Sequence, residues 1–127
     1  MNGCIPLDTT TRKLQAFLSG AAATTNPTVT VGFYDVSSQT KVDTSEYKRA
    51  AQFTVLAGAT ETDVCAAPAQ GTVRNIEYIN IYNADTLSVT VTVCIDDNGT
   101  NRIQVVMALL TTESAVWTPT SGWQVVT

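Results

Sequence analysis

The sequence contains no histidine, only three cysteines in 127 residues, and little charge. Without histidine, the Ser–His and Cys–His pairs that activate a nucleophile are excluded, as is any metal site that needs imidazole. Cys4, Cys65 and Cys94 are odd in number and show no C-x-x-C spacing, so they read as free thiols of a reducing cytoplasm rather than a disulfide framework. Charged residues make up 14% of the chain, against about 25% in an average domain. With a formal net charge of −4 there is no basic face to follow a phosphate backbone, which argues against nucleic acid as a partner. No apolar run approaches membrane-spanning length, and residues 1–7 lack the basic and apolar regions of a secretory signal, so no membrane partner is expected.

Catalytic and metal motifs are equally sparse. The sequence has no glycine-rich phosphate loop and no G-x-S-x-G elbow. The acidic stretch Asp96-Asp97-Asn98-Gly99 resembles the start of a calcium loop, but the position that should close such a loop with Glu holds Met107. Asp35, Glu61, Glu77 and Glu113 are scattered, and no spacing pairs them for acid–base work. The chain therefore reads as non-enzymatic, with no catalytic residue, metal or cofactor.

What is present is alternation. Val89, Val91, Val93 and Ile95 follow Leu87 at every second position, with Ser88, Thr90, Thr92 and Cys94 between them, the period of a half-buried strand. Asn98-Gly99 then supplies a hairpin turn. After it, Ile103, Val105, Met107 and Leu109 form one apolar phase and Val106, Ala108 and Leu110 a second. A strand apolar on both faces needs two covers, so this hairpin is expected where two sheets, or two subunits, meet.

Residues 28–36 alternate similarly, and residues 72–83 are rich in β-formers but change phase between Tyr78 and Ile79, which calls for a bulge or for two covered faces. Residues 50–56, 62–66, 115–118 and 122–126 complete seven or eight short strands. The expected fold is all-β, an antiparallel β-sandwich or jelly roll over residues 28–127, preceded by an extended N-terminal arm and linker over residues 1–27. Residues 37–47 are too polar for core and read as an exposed contact loop. Trp117 and Trp123 are expected to anchor the core or its rim, while Tyr34, Tyr78 and Tyr82 suit surface stacking on a sugar. Abundant Thr in place of charge has two readings, strand preference and surfaces covered by neighbours.

Residues 7–16 (Leu-Asp-Thr-Thr-Thr-Arg-Lys-Leu-Gln-Ala), the run on to Ala21 and Thr24-Thr25, and the later stretch from Ile79-Asn80-Ile81-Tyr82-Asn83-Ala84-Asp85 through Asp97-Asn98-Gly99-Thr100 to Gly122-Trp123 carry a resemblance. They resemble small structural proteins of tailed-bacteriophage virions, namely capsid decoration (cement) proteins and related head-fibre or tail-associated β-domains. The resemblance implies a homo-trimer or homo-dimer on the capsid exterior that binds the major capsid protein, staples neighbouring capsomers and performs no catalysis. The expected contact residues are Thr9, Thr10, Thr11, Arg12 and Lys13 on the arm and, on the polar loop, which lies outside the resemblance, Lys41, Val42 and Tyr47. A glycan-binding host-recognition domain is the alternative.

Overall fold

The computed structural model describes residues 5–37 and 48–127, in which ten strands and no helix are found. In chain order these are β1 (Ile5–Leu7), β2 (Arg12–Leu18), β3 (Thr28–Ser37), β4 (Lys48–Val55), β5 (Thr62–Cys65), β6 (Thr72–Tyr82), β7 (Val89–Asp97), β8 (Thr100–Leu109), β9 (Ser114–Thr118) and β10 (Gly122–Val126). Six of them form one antiparallel sheet in the order β10-β9-β6-β3-β4, with β1 also on β6, and four form a second sheet in the order β5-β2-β7-β8. β1 and β9 share one edge of β6, β1 against Arg74–Ile76 and β9 against Ile79–Tyr82.

The two sheets pack through their inner faces. Val29, Val31, Phe33, Ile76, Ile79, Ile81, Ala115 and Trp117 of the larger sheet close one core with Leu14, Ala16, Leu18, Val64, Val91, Val93 and Leu109 of the smaller. Each set sits at alternate positions because successive side chains of a strand point to opposite faces. The phase change in β6 is a bulge: the register with β3 shifts between Gly32 and Phe33, so Ile76, Ile79 and Ile81 all face inward. Asn98 (φ 53°) and Gly99 (φ 93°) both take the left-handed conformation that a tight hairpin turn demands. The expected fold class stands as an antiparallel β-sandwich of two sheets.

Three expectations need correction. Residues 12–18 are no arm: β2 lies between β5 and β7, with Leu14 and Ala16 fully buried, because Leu14, Ala16 and Leu18 alternate with Lys13, Gln15 and Phe17. Leu7 is also fully buried, so the separate arm over residues 1–27 dissolves into the sandwich from β1 onward. The second apolar face of β8 has no cover among the described residues: Val106 is 56% exposed, Leu110 62%, and Ala108 is open as well. No second sheet meets the hairpin there. Finally, a bulge between Val93 and Cys94 turns Ile103 outward beside Cys94, and Leu87 precedes the strand instead of joining its buried phase.

One polar cluster holds the loops to the core. Asn83 is fully buried, and its side-chain amide donates to the carbonyls of Leu87 and Leu109 at 3.1 Å while its side-chain oxygen accepts from the Asp85 N–H. The Asp85 carboxylate accepts from the backbone N–H groups of Ala23, Thr24, Thr25 and Thr86 at 2.8–3.2 Å. Burial raises its pKa, but these four donors more than reverse that and hold it well below the usual carboxylate range.

Candidate functional site

The residues singled out at the N-terminus gather at one end of the sandwich. Between β1 and β2 the chain turns at Asp8-Thr9-Thr10-Thr11, closed by the Arg12 N–H on the Thr9 carbonyl at 3.3 Å. The Asn98 N–H donates to the Thr11 carbonyl at 3.2 Å, which seats this turn beside the tip of the β7–β8 hairpin. A further turn, closed by the Thr72 N–H on Ala69 and carrying Gly71 at φ 81°, lies opposite. Together Asp8, Thr9, Thr10, Ala69, Gln70, Gly71 and Thr72 line an open polar groove of about 370 Å³.

Arg12 and Lys13 serve the fold at this end. The Arg12 guanidinium donates to Asp8 at 2.5 Å and to Asp97 at 2.9 Å, the latter bond being the main cause of its raised pKa. Lys13 pairs with Asp63 at 3.2 Å, and the Gln15 amide donates to the same carboxylate at 2.7 Å. Both cations are thus spent on β5 and the β7–β8 turn. What faces solvent is the row Thr9, Thr10 and Thr11, three hydroxyls without net charge. Lys41, Val42 and Tyr47 lie outside the described residues; Ser37, at the end of β3, pairs with Thr72 on the rim of the groove.

The outer face of the larger sheet carries a second feature. Cross-strand partners define its rows: Ala51, Gly32 and Tyr78; then Phe53, Thr30, Asn80, Val116 and Gln124; then Val55, Thr28, Tyr82, Ser114 and Val126. Phe53, at 66% exposed, stands with the open Tyr78 and Tyr82 on this face. The Tyr78 ring lies across Gly32, and a Cβ at that glycine would sit 2.0 Å from the ring's Cε1. Only glycine leaves room for the ring to lie down on the sheet. Tyr78 and Tyr82 are four residues apart, about 13 Å along the strand, and Phe53 is two strands from Asn80, about 10 Å. Thr28, Thr30 and Asn80 place hydroxyl and amide groups between the three rings.

Cys4 lies outside the described residues; Cys65 and Cys94 are buried free thiols. Burial pushes the Cys65 thiol up to about 11 despite the pull of nearby Arg74, and burial with Glu61 and Asp96 pushes Cys94 up to about 11 as well. Both are protonated at neutral pH, hence poor nucleophiles and poor metal ligands. Among the described residues no three of Cys, Asp and Glu gather as a ligand set.

Sequence reasoning missed Phe53, the seating of Tyr78 on Gly32, and the anchoring role of Asp85. A glycine inside a strand marks a place where another group approaches closely, and that signal was available at Gly32. Nothing in the sequence pairs Asp85 with residues 23–25, some sixty positions away. No protein-family model, curated protein or solved structure matches this chain.

Proposed function

We propose that the protein is a structural component of a bacteriophage virion that binds the outer surface of the capsid, in contact with the major capsid protein and with other copies of itself. It works by contact, without catalysis or cofactor. The observation that supports this best is the pair of open apolar faces on opposite sides of the sandwich: Phe53, Val55, Tyr78, Tyr82 and Val126 on the larger sheet, Ile103 and Val106 with Leu110 beyond them on the smaller. Exposed apolar surface of this extent marks contact surface, and a domain flanked by two such faces suits a position between neighbours. The neutral threonine rim at residues 9–11 offers hydrogen bonds without the desolvation cost of charge. The resemblance to cement proteins covers the N-terminal segment, with its threonine rim, and most of the chain after Val73, which includes Tyr78, Tyr82 and β8 but not β4.

The test is addition of the purified protein to capsids that lack it, followed by sedimentation. Saturable binding that Phe53→Glu with Tyr82→Glu weakens at least tenfold is expected; no association with capsids would overturn the proposal. The three rings on the larger sheet, with threonine and asparagine between them, favour a second reading as a glycan-binding face. Binding to cell-surface polysaccharide together with indifference to capsids would select it.

A further inference from the structure

We infer that β8 is a self-pairing edge: two copies of this chain join through it, antiparallel about a two-fold axis, and extend the smaller sheet across both. This names the surface for the self-contact in the reading above and needs no capsid. β8 ends the order β5-β2-β7-β8, so one row of its backbone N–H and C=O groups has no strand partner among the described residues. Proteins usually blunt such an edge with lysine, proline or a very short strand. Here the strand is ten residues long, and past the bulge at Gln104 the stretch from Val105 to its end at Leu109 carries neither proline nor charge.

The side chains flanking that edge point to the same partner. Cross-strand pairing sets Phe17, Thr92 and Val106 in one outer row and Thr90 with Ala108 in the next, and Leu110 and Leu87 lie open beyond them. The apolar patch therefore runs up to the unpaired edge and stops. A two-fold axis passing near Met107 would continue it by setting the Val106 and Ala108 stripes of the two copies side by side. Arg102, the one charge on the strand, would then be about 34 Å from its counterpart, beyond the reach of screened repulsion. Pairing an edge with itself also closes the assembly at two copies, whereas joining it to a different edge would propagate a fibre.

The size of the contact sets its strength. With the axis near Met107 the two strands overlap from Val105 to Leu109, about 17 Å, and a sheet is about 10 Å thick; with a flank of similar area on the outer face, about 700 Å² is buried over both copies. That is below the size of a stable interface, so the dimer is a weak one that dissociates on dilution. Sedimentation of the intact protein from about 1 to about 500 µM should show a monomer–dimer equilibrium, a range suited to interfaces of this size. Val106→Lys and Ala108→Glu, both at open positions, should each weaken it at least tenfold with an unchanged circular dichroism spectrum. In the unmodified protein, amide exchange of β8 should slow with concentration while that of β4, β5 and β10, the other end strands of the two sheets, does not. A monomer at every concentration would overturn the inference, and so would a dimer whose exchange protection falls on β4, β5 or β10 rather than β8. Capsid binding by a protein that stays monomeric would refute this pairing and leave the virion reading standing.

Discussion

Leu14→Ala tests whether residues 12–18 belong to the core. Leu14 is fully buried, opposite Ile95 of β7 on one side and Cys65 of β5 on the other. Truncation removes three carbon groups' worth of burial, about 2.4 kcal/mol at about 0.8 kcal/mol each, and leaves a cavity between strands too tightly paired to collapse into it. A loss of about 3–4 kcal/mol is expected, out of a total stability of about 5–15 kcal/mol for a domain. For a chain of this length that lowers Tm by about 10–15 °C. Urea unfolding followed by tryptophan fluorescence, with Leu110→Ala as the exposed control, measures it; the control should move by less than about 0.5 kcal/mol. If Leu14→Ala also moved by less than that, β2 would be a peripheral arm after all and the core described above would be wrong.

Asp85→Asn should destabilise the protein at neutral pH, because an amide cannot accept from all four backbone donors. Since the folded pKa of Asp85 is depressed, its contribution is complete above the ordinary value of 3.8 and fades as pH falls below that; the gap between variant and parent should therefore narrow in acid unfolding curves. Cys65 and Cys94 should resist alkylation in the native protein at pH 8 and react once it is unfolded, read by peptide mass mapping; fast native labelling at either position would contradict their burial. Arg74 grips Asp35 through two N–H donors at 2.8 and 3.0 Å, donates to the Ala66 carbonyl and stacks on Phe33, so Arg74→Lys should cost about 1–2 kcal/mol in urea titration despite keeping the charge.

Local signals carried much of the fold. The alternations of residues 28–36 and 89–95, the Asn98-Gly99 turn and the phase break before Ile79 each reported a strand, a turn or a bulge through rules that act over a few residues. Residues 12–18 read as a strand or as extended arm alike, because small Ala16 and half-buried Phe17 blur the alternation around Leu14 and Leu18; the structure makes them a strand of the core. Ile103 was assigned to the wrong face because a bulge at the neighbouring residue shifts register without changing composition. The open faces were harder still. Hydrophobic pattern says that Val106, Ala108 and Leu110 want a cover, yet whether that cover is intramolecular depends on how many layers the chain can build. With two sheets among the described residues, Phe53 on one outer face and Val106 and Leu110 on the other stay open. Of the expected contact residues, Thr9, Thr10 and Thr11 are open to solvent, whereas Arg12 and Lys13 are tied into ion pairs that no local pattern reveals.

Attachment to a capsid exterior, the function proposed for this protein, would show in electron microscopy of particles assembled with and without it. Added density is expected at many equivalent positions over the outer surface of the shell, lost when Phe53 and Tyr82 are replaced by Glu. Density confined to a tail or a single vertex, or no density at all, would contradict it.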